Sequence, residues 1–486
     1  MKAGPAGATP VGVERNYAHF IGGRWIPGPD TFDVVNPFDG ERAATVTRAT
    51  LADVDAAIGS AVEALDGSFP AHARYDVLMR AADRVEARQD DYATAIALEG
   101  SKTIREAQRE PRRAAGILRL SAEEARRLHG ETLPFDSRIG SENRIGYYFR
   151  CPLGVIAAIA PFNDPLAIAA HKVGPALAAG NTIVFKPACA SPTSALMLAE
   201  DLAAAGLPPG RLSVLCGPGE TIGAALVADA RVRMVTFTGG VETGEQIARR
   251  AGIKKLSMEL GSNSPVIVLP DANLQRAVPA IVSGAFAQAG QNCLGVQRIL
   301  VHTSVYESFR TLFVERASRL KAGSSMDESV DVCAMMHEQH ARRVESWIAE
   351  ALSRGARLLL GGQRDGALLW PTVVEGVPAG ALLDHEEAYG PVVSLYRVQS
   401  LDDAIGRANG VRYGLHAAIF TESLQQAFTA VRRLAVGAVI VNDSTDYRLD
   451  VMPFGGTKLS GIGREGIGFA VQEMSDTRVV CFNLES

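Results

Sequence analysis

At 486 residues the chain is too long for one ordinary hydrophobic core, and two or three domains are expected. Its composition, 47% hydrophobic and 21% charged, is that of a globular α/β protein, and a net charge of −5 argues against nucleic acid or an anionic membrane as the main partner. No apolar run approaches the length of a bilayer span.

Residues 1–13 are rich in Gly, Ala and Pro and lack a hydrophobic h-region, so they read as a flexible tail and not a signal peptide. Phe20–Trp25 and Thr31–Pro37 alternate around Gly/Pro turns and predict short antiparallel strands. From Leu51 to Leu128 the pattern turns helical, with apolar residues at three- and four-residue spacing, as in Val54, Ile58, Val62 and Leu65. Arg112, Arg113, Arg126 and Arg127 read as solvated helix surface. An aromatic strand, Arg144–Arg150, leads into Gly154–Pro161, an apolar run suited to a strand covered on both faces. Three strand–helix units follow, starting at Thr182–Phe185, Leu212–Leu215 and Met234–Phe237, with Lys254–Glu259 as the next strand. Such alternation predicts a parallel, doubly wound sheet. Beyond Pro265 a second alternation begins, with strands predicted at Val266–Leu269, Arg298–Val301, Leu358–Leu360, Val392–Leu395 and Ala417–Phe420. It supports a second α/β domain, and Cys293 falls near the junction, where ligand clefts are favoured.

Cys293 lies in Gln288-Ala-Gly-Gln-Asn-Cys-Leu-Gly-Val-Gln-Arg298, bracketed by Gly290 and Gly295, and an acidic motif, Met258–Pro265, precedes it. A thiol attacks as thiolate and needs a base or a cationic setting, so a nucleophile and a base are both on offer. The other cysteines, Cys151, Cys189, Cys216, Cys333 and Cys481, lack that loop setting and read as packing residues. With no Cys-x-x-Cys pair and no ligand spacing among the nine histidines, neither a disulfide framework nor a metal is expected, and a reducing cytoplasm fits.

Glycine turns at Gly217–Gly223 and Phe237–Gly240 would set backbone N–H groups at helix starts, where a pyrophosphate is well held, although such turns also occur without ligands. No intact Gly-x-Gly-x-x-Gly follows a strand. Asn163, between Pro161 and Pro165, suits either a plain turn or an amide aimed at a developing oxyanion. Lys186 suits either a charged strand end or a cation beside a ribose. Two further glycine-bearing loops, Glu386–Pro391 and Pro453–Glu465, have no explanation in periodicity.

Taken together these motifs resemble the NAD(P)-dependent aldehyde dehydrogenase superfamily, from about Phe20 to the C-terminus. The resemblance implies a Rossmann-like cofactor domain (14–132 and 153–262), a second α/β catalytic domain (263–442) and a small β oligomerisation element (133–152 and 471–486). It implies Cys293 as nucleophile, Glu259 as general base and Asn163 as oxyanion-hole amide. For NAD or NADP it implies Ala160, Pro161, Phe162, Lys186, Cys189, Gly219, Gly223, Phe237, Thr238, Gly239, Gly240, Leu260, Glu387 and Tyr389. Asp164, Asn292, Leu294 and Phe454 are the expected substrate contacts. Thioester hydrolysis is favoured over transfer to coenzyme A because Glu259 is present, and a homodimer or homotetramer is expected.

One departure from the family pattern bears on the cofactor, and three stretches bear on the substrate. Cys189 stands where many NAD-preferring members carry a glutamate that repels a 2′-phosphate, so NADP should be accepted. The Glu259–Asn263, Phe237–Gly240 and Asn442–Arg448 stretches look most like the branch acting on lactaldehyde, phosphonoacetaldehyde and similar small aldehydes. A carboxylate at Asp164 disfavours an anionic substrate, so a small neutral, polar or aromatic aldehyde is expected unless Arg105, Arg109 or Arg448 reaches the tunnel. The rival classes are a binding protein that kept the fold and a cofactor-free thiol hydrolase.

Overall fold

The computed structural model describes residues 16–100 and 102–484; the predicted tail lies outside them. Two sheets organise the chain. In the first, five parallel strands run in the order Lys255–Glu259, Val232–Thr238, Val155–Ile159, Thr182–Lys186 and Leu212–Val214. Antiparallel strands close both edges, Gly461–Ile462 at one and the His19–Ile21/Arg24–Ile26 hairpin at the other. Alternate residues feed different cores: Ile156, Ala158 and Ile183 pack on one face, Val155, Ala157 and Val184 on the other. A sheet covered on both faces needs such continuous apolar runs, which is why Val155–Ile159 shows no polar alternation. From Val155–Ile159 the chain winds outward in one direction and then returns to add Val232–Thr238 on the opposite side. That reversal is a topological switch point, and the carboxyl ends of its strands form a crevice.

The second sheet orders Arg357–Leu360, Thr372–Glu375, Val392–Val398, Val296–His302, Ser264–Val268, His416–Phe420 and Ala438–Val441, parallel except for the first. It has its own core around Val266, Ile299 and Val393. Only the four residues 260–263 separate the end of Lys255–Glu259 from the start of Ser264–Val268. The carboxyl ends of the first sheet therefore lead directly to the amino ends of the second.

The helical stretch comprises Leu51–Leu65, Ala71–Ala87, Gln89–Glu99, Ile104–Ala107 and Glu110–Arg127. Leu51–Leu65 starts at a Thr50/Asp53 capping box and buries Val54, Ala57, Ile58 and Ala61 on one face. A third sheet pairs Ser475–Asn483 with Arg144–Pro152, from Ser475 opposite Pro152 to Asn483 opposite Arg144. Its ribbon exposes Ile145, Tyr147, Phe149, Val479 and Phe482.

Several expectations need correction. Arg113 is not solvated helix surface: it bonds Asp450 at 2.9 Å and faces an internal cavity, whereas Arg112, Arg126 and Arg127 are exposed. Cys481 is exposed on the ribbon and Cys151 is half-buried there, so only Cys216 and Cys333 are fully buried packing residues. The strands Thr372–Glu375 and Ala438–Val441 were not anticipated. Each is only four residues long, and although Pro371 and Gly376 bracket the first and Gly437 and Asn442 the second, so short a run is fixed as a strand by pairing to its neighbours.

Candidate active site

The strand ends at the switch point supply the expected residues. Val155–Ile159 runs out into Ala160, Pro161, Phe162 and Asn163, with Ala160 N–H donating to the Lys186 carbonyl at 3.1 Å. Thr182–Lys186 ends at Lys186, Val232–Thr238 at Thr238 and Lys255–Glu259 at Glu259. Gly239 N–H bonds the Glu259 carbonyl at 3.0 Å, so the glycine turn and the carboxylate share one corner.

A cavity of about 440 Å³ brings Cys293, Glu259, Asn163 and Thr238 together with all four expected substrate contacts, Asp164, Asn292, Leu294 and Phe454. Leu294 and Phe454 pack with Leu415 against the thiol as a small apolar cluster. Asn292 Oδ1 accepts from Leu294 N–H at 3.0 Å and tightens the turn around Cys293. Asn163 is buried, and its Oδ1 has no partner among the described residues. Glu259 is 3% exposed, and neither carboxylate oxygen has a hydrogen-bond partner among the described residues. Burial and the nearby Glu465 push its pKa well above the ordinary carboxylate range, against the pull of Arg448, Lys172 and Arg464. Burial likewise pushes the Cys293 thiol up to about 12, with Arg448 the main opposing charge.

Sequence reasoning missed the cavity's remaining wall. Lys102, Arg113 and His171 line it, and Arg109 and Arg448, weighed but not placed, line it too. Arg105 does not; it bonds the Val330 carbonyl at 2.7 Å and pairs with Asp331. Lys102 is buried between Glu110 and Asp164 and pairs with both. Burial works against its charge, but Asp164 and Glu110 hold its pKa above that of an ordinary lysine. Burial also opposes ionisation of Asp164, yet Lys102 and Arg113 hold it below the usual range. Asp164 is therefore not the free carboxylate that the sequence reading assumed. Burial lowers His171 to about 4, so it is neutral at physiological pH; its Nε2 lies 2.9 Å from Asp450. The sequence did carry a signal for it: His171 and Lys172 are the polar pair in Pro165–Ala178, a helix buried nearly all round.

The other expected residues fit a dinucleotide. Gly219 and Gly223 line a second cavity of about 560 Å³ with Ile159, Val227 and Ile247. Gly240 caps the eleven-residue helix Val241–Ala251, and Thr238 Oγ beside it is buried without a partner among the described residues, as a group that binds a ligand would be. Leu260 packs on Gly244 in that helix, and Phe237 lies under Gly239. Lys186 Nζ donates to the Pro187 carbonyl at 3.2 Å, and Cys189 Sγ lies 3.0 Å from the Gly217 carbonyl. Glu387 accepts from Ser262 N–H at 2.7 Å, and burial raises its pKa to about 7. Gly261 makes that approach feasible, since a Cβ there would overlap the Glu387 carboxylate. Tyr389 sits at φ 47°, with its ring edge-on to Phe162, which also contacts His337 and His340. The late loop Pro453–Glu465 now has a reason: Gly461–Ile462 pairs with Met258–Glu259, and Leu260 N–H bonds the Ser460 carbonyl at 3.0 Å.

A doubly wound sheet with glycine-led helix starts, joined to a second α/β unit that brings the Cys293 thiol to the switch point, has the crevice in which open α/β sheets bind nucleotides. The chain belongs to the aldehyde dehydrogenase family, whose sequence pattern matches residues 25–480, and it is an NAD(P)-dependent enzyme. It is 44% identical over 470 residues to a 3-sulfolactaldehyde dehydrogenase of Priestia aryabhattai, covering 97% of this chain and 98% of that one. It is 37% identical to a lactaldehyde dehydrogenase of Methanocaldococcus jannaschii, covering 95% and 99%. Among solved structures, aldehyde dehydrogenase 21 of Physcomitrella patens, in complex with the reaction product succinate, has a TM-score of 0.95 at 36% identity, covering 97% and 99%. The NADP-dependent glyceraldehyde-3-phosphate dehydrogenase of Bacillus halodurans, complexed with NADP, also has a TM-score of 0.95, at 37% identity, covering 97% and 100%. No described helix is long and apolar enough to cross a membrane.

Proposed function

We propose that the chain oxidises a small anionic aldehyde to the carboxylic acid with NADP or NAD. The observation that carries the substrate class is the charge on the cavity wall. Arg448 is mostly buried, its Nε has no partner among the described residues, and its one carboxylate contact there, to Glu465, is 3.3 Å long. Arg109, on the same wall, makes no ion pair among the described residues. Of the six wall carboxylates, Glu106, Glu110, Asp164 and Glu465 are each already engaged by a cation or an N–H group, while burial raises the pKa of Glu259 and Asp446 and disfavours their charged forms. The expectation of a neutral or aromatic aldehyde rested on a free Asp164, and with that carboxylate neutralised the remaining unspent charge is positive. A sulfonate, phosphonate or carboxylate tail suits two guanidinium groups. Sulfolactaldehyde in one relative's name and succinate in one neighbour's complex point to the same substrate class.

In this reading Cys293 Sγ attacks the aldehyde carbon, and Asn163 with the Cys293 N–H holds the thiohemiacetal oxyanion. Lys186, Gly240, Thr238 and Glu387 would hold the cofactor, which would supply a hydride acceptor. Glu259 takes a proton from the water that hydrolyses the thioester on Cys293; a carboxylate whose pKa burial raises, with no partner among the described residues, is a stronger base than an ordinary one. We assign residues 14–132 and 153–262 to the cofactor unit, 263–442 to the catalytic unit and 133–152 with 471–486 to the contact with a second copy; of these, 14, 15, 101, 485 and 486 lie outside the described residues. The exposed apolar face of that ribbon supports a dimer or a tetramer of dimers; a monomer by light scattering would refute it.

The test is absorbance of reduced nicotinamide with aldehydes bearing sulfonate, phosphonate and carboxylate groups, beside lactaldehyde and benzaldehyde, each with NAD and NADP. An anionic member is expected to have the highest kcat/KM. Benzaldehyde or lactaldehyde ahead of all three would overturn the substrate class.

A further inference from the structure

The loop that delivers Cys293 is held in a conformation its own residues do not favour. Gln288 and Ala289 sit at φ 55° and 54°, followed by Gly290 at 68°: three successive left-handed residues. Side chains larger than glycine avoid that region, and alanine has no side-chain hydrogen bond with which to support it. At Gly290 a Cβ would overlap the Gly390 carbonyl, so this turn is pressed against the loop that follows Glu387. Backbone in such a state persists only where its surroundings over-determine it, and it clusters at functional sites.

The surroundings come from one short segment. Gln288 N–H donates to Glu106 Oε1 at 2.8 Å, and Gln288 Nε2 donates to Asp164 Oδ1 at 2.9 Å. Glu106 is fixed from its other side, where Oε2 accepts from Thr103 N–H at 2.9 Å and Thr103 Oγ at 3.0 Å. Asp164 is fixed by Lys102, which also holds Glu110. Glu110 in turn accepts from the N–H groups of Leu166 and Ala167, at 2.8 and 2.9 Å, at the start of the helix that follows Asn163. Segment 102–110 therefore grips both the nucleophile loop and the oxyanion turn. Lys102, with both carboxylates in contact, has no charge to spare for a substrate.

We infer that Asp164, clamped by Lys102, is a positioning residue that acts through Gln288 to hold the Cys293 loop in register with Asn163. This rests on the reading of Cys293 as the nucleophile, and it reassigns Asp164 from the substrate contact expected from sequence.

The test uses full-length Asp164→Ala, Asp164→Asn, Gln288→Leu, Gln288→Glu and the Asp164→Ala/Gln288→Leu double variant. The readouts are kcat, KM for the aldehyde, and the rate of Cys293 alkylation by iodoacetamide, mapped by peptide mass because Cys481 is exposed and Cys293 only partly so. Asp164→Ala and Gln288→Leu should each lower kcat by roughly 100-fold and change the alkylation rate, while KM stays within about threefold. Asp164→Asn keeps an oxygen that accepts from Gln288 and should retain most of kcat. The double variant should be no worse than the poorer single one, because both remove the same link. Gln288→Glu sets like charges together without opening a cavity, so it keeps the test alive if Asp164→Ala does not fold; wild-type kcat in Gln288→Glu would overturn the inference. So would losses confined to KM, which would make Asp164 a substrate contact, or additive losses in the double variant. Cys293→Ser separates the two readings: turnover surviving there would sink the nucleophile assignment itself.

Discussion

Replacing Glu259 by glutamine separates the two halves of the proposed reaction. Neither carboxylate oxygen makes a hydrogen bond within the described residues, so the amide forfeits none, and the two side chains have nearly the same shape. The fold should tolerate the change to within about 1 kcal/mol. The sign with pH is definite. The folded-state pKa of Glu259 is raised, so between its unfolded and folded values the unfolded chain binds fewer protons than the folded one, and wild-type stability falls as pH rises through that window. The amide of Glu259→Gln cannot ionise, so the Tm difference between variant and wild type should grow in the variant's favour as pH rises above the ordinary carboxylate range. For catalysis, loss of a general base costs roughly 10²–10⁴-fold. Stopped-flow absorbance should show one equivalent of reduced nicotinamide per active site formed in a burst, then a steady rate lower by that factor. A steady rate equal to wild type would refute the role, and the absence of any burst would place Glu259 before hydride transfer.

Arg109→Met should lower kcat/KM for an anionic aldehyde by roughly tenfold at low salt and by less at high salt, because an exposed cation acts through a screened field; lactaldehyde should be nearly unaffected. An equal loss for both would remove Arg109 from substrate recognition. Cys189→Glu should shift the kcat/KM ratio of NADP to NAD towards NAD by roughly tenfold or more through repulsion of the 2′-phosphate; an unchanged ratio would assign the discrimination to another residue. In cofactor-free enzyme, Cys293 alkylation should keep accelerating with pH beyond about pH 9, since burial holds the thiol at about 12. A plateau near neutral pH would contradict that environment.

The sequence made the parallel sheets legible because strands such as Val155–Ile159 are continuous apolar runs, and it made Cys293, Glu259 and Asn163 legible because each sits in a short motif beside a strand end. What it could not carry was pairing across distance. Asp164 read as a repulsive charge because its partner, Lys102, lies 62 positions away in sequence. Arg113 read as surface because nothing local announces Asp450, 337 positions on. The strained turn at Gln288 and Ala289 was invisible for the same reason, since both residues have ordinary local preferences and the groups that hold the turn, Glu106, Asp164 and the Gly390 carbonyl, are distant in sequence. The role of the Pro453–Glu465 loop emerged only once Gly461–Ile462 was seen laddered to Met258–Glu259.

The four-residue passage 260–263 between the two sheets has a mechanical consequence. A tether that short acts as a pivot: if the two halves rock apart to admit cofactor or release acid, points far from it sweep wide arcs while those beside it scarcely move. Glu259 is the residue immediately before the pivot. Glu259 can therefore keep its station through an opening and closing cycle, and Glu387, bonded to Ser262 N–H within the passage, stays beside it.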